Sequence, residues 1–216
     1  MNDQIETRVF RLAEDFRISE AEGQPTKIEG LVVPYDQLSE DLGGVRERVK
    51  PGAFAAAINA GRDLRVDIEH DARQLLARSA KNTARFTDTA EGLRVSFDIP
   101  NTRRGRDAVE DIRAGNLDAM SASWTRRGLK AQFVRDGSLV VREILQAELT
   151  GVALTAWPAY KQTAGELVLR SLAEWEAQQK AAANEQETPG ESDPTAEAEA
   201  ESRRRRLDLA EADLDL

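Results

Sequence analysis

The chain of 216 residues contains no cysteine, which excludes disulfides, thiolate nucleophiles and cysteine-based zinc sites. It contains a single histidine, His70, so one chain cannot assemble a multi-histidine metal centre, and neither a metal nor a cofactor is expected. No segment approaches the roughly 18 consecutive apolar residues of a spanning helix. The N-terminus MNDQIETRVF lacks the basic and apolar regions of a signal peptide. These absences predict a soluble intracellular protein with no membrane association. Positive charge is also short: 30 basic against 39 acidic residues leave a net charge of −9. Such a chain neutralises phosphates poorly, so nucleic acid is not an expected partner. With 40% apolar and 32% charged residues, part of the chain is expected not to pack.

The composition divides the chain into residues 1–172 and 173–216. The second segment, beginning AEWEAQQKAAANEQETPGESDP, is rich in Ala, Glu and Gln and poor in β-branched residues. It buries too little apolar surface to offset chain entropy, which predicts a disordered or transiently helical acidic tail. Near its end, a basic run at Arg203–Arg206 precedes leucines at 207, 209, 214 and 216. That pattern reads as a solvated charge run, or as a short docking element.

The body alternates strand and helix signals. TRVFRL, KIEGLVVPY, LRVDIEH, LLARS, ARFTDT and GLRVSFDIP read as strands, with a hairpin turn at Glu91–Gly92. SEDLGGVRERVKPG reads as a loop, because Gly43–Gly44 and Pro51–Gly52 interrupt it. AFAAAINAG is a short helix stopped by Gly61. TRRGRDAVEDIRAGNL is an amphipathic helix with Ala108, Val109 and Ile112 inward and Gly115 at its end. Further strands, including a hairpin at Asp136–Gly137, complete an α+β fold with a mainly antiparallel, barrel-like β core and a few helices.

Four features could carry chemistry. His70 lies among Asp67, Glu69 and Asp71. Ser121 and Ser123 stand in AMSASW, Arg126 and Arg127 follow, and GVALTAWPAY is an apolar strand. Serine hydrolysis needs a hydroxyl activated by a base, an orienting group on that base, and donors for the oxyanion. The chain holds residue types for each role, though spacing alone does not bring them together. There is no G-x-S-x-G elbow, which argues against the α/β-hydrolase template. A lone histidine or serine is more often inert than catalytic, and the arginine pair reads equally well as a solvated face.

An ordered series of segments resembles the prohead (capsid-maturation) proteases of tailed bacteriophages, related in fold to herpesvirus assembly proteases. The segments are IEGLVVPYDQLSEDLGGVRERVKPGAF, DLRVDIEHDARQLLARS, EGLRVSFDIPNTRRGRDAVEDIRAGNLDAMSASW and AELTGVALTAWPAY, spanning about residues 28 to 162. The resemblance implies a serine endopeptidase with His70 as general base and Ser121 as nucleophile. Ser123, on the same strand face, is the fallback. Arg126 and Arg127 are the implied oxyanion support.

For the third member, relatives carry an acid where this chain has Gly151. Glu148 is the replacement chosen here, provided a bulge restores its face; Glu143 and Asp71 are the alternatives. The implied substrates are the major capsid protein with its scaffold region, and the chain's own tail. The implied setting is the assembling prohead in the host cytoplasm, as a homo-oligomer or prohead-associated protein. A catalytically silent assembly or scaffolding factor on the same fold is the competing expectation.

Overall fold

Alternating burial along the chain builds two sheets and three helices in the computed structural model, which describes residues 5–156 and 161–186, with side chains over 5–156 and 168–181. In chain order the strands are β1 (Ile5–Arg11), β2 (Arg17–Ser19), β3 (Lys27–Pro34), β4 (Val45–Val49) and β5 (Arg65–Ile68). They continue with β6 (Ala77–Arg78), β7 (Ala84–Asp88), β8 (Gly92–Asp98), β9 (Ala119–Asp136) and β10 (Leu139–Thr155). The helices are α1 (Ala55–Asn59), α2 (Arg103–Ala114) and α3 (Lys161–Gln186). No helix among the described residues is long and apolar enough to cross a membrane.

The first sheet runs β1-β9-β10-β5-β6, with β4 pairing elsewhere on β10, and the second runs β2-β3-β8-β7. All pairings are antiparallel except those of β4 and β5 with β10. The fold is therefore α+β and mainly antiparallel, as expected, but its sheets do not close into a barrel. One apolar core joins the two sheets. Met120, Ala122, Trp124, Leu149 and Val152 from the first meet Ile28, Val33, Leu93, Val95 and Phe97 from the second.

Phe54, from the PGAF segment, is fully buried and packs between Tyr35 and Trp124, with ring centroids 6.3 and 5.9 Å away. PGAF is thus a core anchor at the start of α1. Helix α2 begins at Thr102, whose hydroxyl accepts the Gly105 N–H at 3.2 Å. It ends at Gly115, where φ is 76°, the left-handed geometry that glycine adopts without a Cβ penalty. Its buried residues include Ala108 and Val109, with Ile112 partly buried.

The loop expected over residues 39–52 contains a strand instead. In VRERV, residues 45, 47 and 49 are buried, so the alternation is intact, but the central inward residue is Glu47. Its charge is matched by Arg8 (Nε–Oε1 2.7 Å) and Arg142 (Nη1–Oε2 3.0 Å). A buried charge reads as polar in sequence and hides the strand until its partners arrive from β1 and β10. Helix α3 occupies the beginning of the expected tail, and the segment from residue 187 onward, with its arginine run, lies outside the described residues. So does the WPAY end of the last strand segment beyond Ala156.

Candidate active site

On β9 the side chains alternate, so Met120, Ala122 and Trp124 face the core while Ser121 and Ser123 face the other side of the sheet. The sheet register lines up two rows of residues on that outer face. One is Val9–Ser121–Ala153–Asp67, and the next is Thr7–Ser123–Gly151–Arg65. The small residues Ala153 and Gly151 keep the centre of both rows low.

His70 reaches this face through an uncommon turn. Glu69 and His70 both have positive φ, 54° and 55°. The turn closes with the Asp71 N–H donating to the Ile68 carbonyl at 3.0 Å. Two successive left-handed residues without glycine cost conformational energy, which surrounding contacts must supply. Glu69 supplies them. Its carboxylate accepts the Thr155 hydroxyl at 2.8 Å and the Ala156 N–H at 2.9 Å, and its own N–H donates to Leu154 O at 2.9 Å. The turn is thereby tied to the end of β10.

The imidazole lies over the serines. His70 Nε2 and Ser121 Oγ form a short hydrogen bond. Ser123 Oγ is 3.3 Å from His70 Nδ1 and 3.5 Å from Nε2, and it shares a 2.8 Å hydrogen bond with Thr7 Oγ1. Ser121 is only 1% exposed beneath the ring. Desolvation holds the imidazole below its ordinary pKa; the Glu69 charge opposes this and the Arg65 charge reinforces it. A neutral imidazole whose Nε2 faces a hydroxyl can accept that hydroxyl's proton near neutral pH.

The expected third member does not join them. A bulge between Leu149 and Gly151 does bring Glu148 into register with Thr125, on the serine side of β9. Thr125, however, lies four residues from Ser121, roughly 13 Å along a strand. The Glu148 carboxylate is engaged there by Arg62 and by the Thr125 hydroxyl at 3.2 Å. Glu143 is equally committed, accepting from Arg48 at 2.9 Å and Gln132 at 2.7 Å. Asp71 accepts from Arg73, through its backbone N–H at 2.9 Å and its guanidinium at 3.1 Å. Gly151 itself has no room for an acid, because a Cβ there would lie 2.6 Å from the Arg65 carbonyl oxygen.

The arginines are also elsewhere. Arg126 Nε approaches the buried Glu6 carboxylate at 3.7 Å, and Nη2 lies 3.5 Å from the Ser171 hydroxyl. Arg127 is exposed and six residues beyond Ser121, roughly 20 Å at strand rise. Neither is brought to the serine. Sequence reasoning named Glu69 beside His70 but gave it no role, and it missed Thr155 and Thr7, since each contributes through contacts distant in the chain.

A family model described as caudovirus prohead serine protease matches residues 14–178. Among solved structures, the bacteriophage T4 capsid assembly protease is 12% identical with a TM-score of 0.49, the match covering 72% of this chain and 98% of that one. No curated protein matches.

Proposed function

The chain belongs to the caudovirus prohead serine proteases, and from that premise we propose that it is a serine endopeptidase acting on the capsid protein and its scaffold region during prohead maturation. The observation that carries the proposal is the hydrogen bond joining Ser121 Oγ to His70 Nε2 across 51 residues of sequence. In this reading Ser121 is the nucleophile and His70 the general base. As Oγ attacks the scissile carbonyl carbon, its proton passes to Nε2. The tetrahedral intermediate then collapses, the C–N bond breaks, and His70 returns the proton to the leaving amine. Water repeats the sequence on the acyl-enzyme, giving up a proton to His70 and releasing Ser121. The tautomer this requires carries its proton on Nδ1, where the Ser123 hydroxyl is the nearby acceptor. The setting proposed is the interior of the assembling capsid, with the chain's own tail as a second substrate.

The test is co-expression with the capsid protein, followed by mass analysis of the fragments. Ser121→Ala should lower cleavage by roughly 10⁴-fold or more, as loss of a serine nucleophile does elsewhere. Ser123→Ala should retain measurable cleavage. Undiminished cleavage by Ser121→Ala overturns the assignment. The reverse pattern transfers the nucleophile to Ser123, and no cleavage by the unaltered chain favours a silent assembly factor.

A further inference from the structure

One buried acid of the site has no part in the chemistry above. Asp67 on β5 is 3% exposed and shares a sheet row with Ser121, with only Ala153 between them. It lies three residues before His70, at the strand end from which the His70 turn begins. Its Oδ1 is buried with no hydrogen-bond partner, the only carboxylate oxygen among the described residues in that condition. A buried acceptor without a donor is costly, and such groups concentrate where they act on something else.

The packing explains why the acid stands on β5. The position on β10 that faces Ser123 is Gly151, and β5 approaches it so closely that a side chain there would strike the Arg65 backbone. That approach closes β10 to a third member and draws β5, with Asp67, toward the serine row. Few other charges face the pair. Arg65, Glu69 and Asp71 act on Asp67 or His70 from β5 and its turn. On the same two rows, β9, β10 and β1 present only Ser121, Ser123, Ala153, Gly151, Thr7 and Val9.

We propose that Asp67 is the positioning carboxylate of the site: once ionised, it raises the basicity of the imidazole above Ser121. This rests on the protease reading for its catalytic consequence, but the coupling of Asp67 to His70 stands apart from it. Desolvation pushes the Asp67 carboxyl up to about 6, against the opposing effects of Arg65 and the His70 N–H, with Asp71 adding to the rise. The sign of the pH effect follows. Below this range Asp67 is neutral and gives the imidazole no help. As pH rises through it, the carboxylate forms, imidazolium is favoured, and His70 becomes a stronger base.

His70 is the only histidine of the chain, so its ring resonances in NMR are unambiguous. In the unaltered protein they should move in two steps with pH, one reporting Asp67 and one the imidazole. In Asp67→Asn the Asp67 step should vanish and the imidazole pKa should fall by about half a unit or more. Cleavage should lose roughly 10²-fold or more in kcat with KM little changed, and its acid limb should shift. A single-step titration in the unaltered protein, or an imidazole unmoved by Asp67→Asn, overturns the proposal whether or not the variant is active. Full cleavage by Asp67→Asn overturns the catalytic part. Two-step titration in a chain that cleaves nothing leaves the Asp67–His70 pair in place and removes the protease reading instead.

Discussion

Glu69 illustrates how much a site can depend on a residue that touches none of the reacting atoms. It adopts one of the two left-handed conformations that aim His70 at Ser121, and its carboxylate ties that turn to Thr155 and Ala156. Glutamine keeps one carbonyl oxygen but loses the charge that strengthens both bonds. Glu69→Gln should therefore cost about 1 kcal/mol of stability, measured by thermal denaturation. It should also slow cleavage about tenfold, because a slightly misplaced base loses much of its effectiveness. Unchanged cleavage would mean that the turn holds its shape through its backbone bonds alone. At this scale Ser123 is the companion case. Its hydroxyl is placed between Thr7 and the imidazole, 2.8 Å from Thr7 Oγ1 and 3.3 Å from His70 Nδ1.

Among elements, the contact between β5 and β10 decides most about the site. β5 is only four residues long, yet it runs parallel to β10 in register from Arg65–Gly151 to Ile68–Leu154. The bulge at Thr150, whose hydroxyl donates to the Ser123 carbonyl at 2.9 Å, sets which β10 residues face the serines. It turns Glu148 to the correct side but too far along the strand. Gly151 then admits β5 at close range. Gly151→Ala should destabilise the protein by about 1–3 kcal/mol, the usual cost of overpacking, seen as a lower urea midpoint. The same argument predicts that Gly151→Glu, which puts an acid opposite Ser123, lowers cleavage rather than raising it. Stability equal to the parent in Gly151→Ala would show that the strands part freely.

At the scale of the whole molecule, a buried ionic cluster ties β1, β4 and β10 together. Glu6 and Arg8 come from β1, Glu47 from β4 and Arg142 from β10, with Arg142 donating to both carboxylates at 2.9 and 3.0 Å. Arg8 adds bonds to Glu6 at 2.9 Å and to Glu47 at 2.7 Å, and lies 5.5 Å from the Trp124 ring centroid. Burial alone would raise Glu6, but the guanidiniums of Arg142, Arg8 and Arg126 hold it below its ordinary range. Such clusters contribute little net stability when intact, and breaking one leaves charges buried without partners. Arg142→Met should cost about 3–5 kcal/mol for that reason, read from chemical denaturation. A cost below about 1 kcal/mol would show that water or rearrangement satisfies the carboxylates.

The same cluster marks where the sequence stops being legible. Apolar alternation and helix periodicity are local, so β3, β8, α2 and the long β9–β10 hairpin could be read directly from KIEGLVVPY, GLRVSFDIP, the amphipathic run and the turn at Asp136–Gly137. The absence of cysteine and the single histidine had already excluded thiolate chemistry and multi-histidine metal sites, and the order of the matching segments pointed to Ser121 and His70. β4 escaped that reading because its inward residue is a charge satisfied from two other strands. The placement of Glu148 away from the serines escaped it because the bulge at Thr150 and the close approach at Gly151 are properties of paired strands, and neither is written in either strand alone. Sequence determined which residue types were available for the site. Only the folded sheet decided which of its several acids shares a row with Ser121, because strand register, not distance along the chain, sets what can meet.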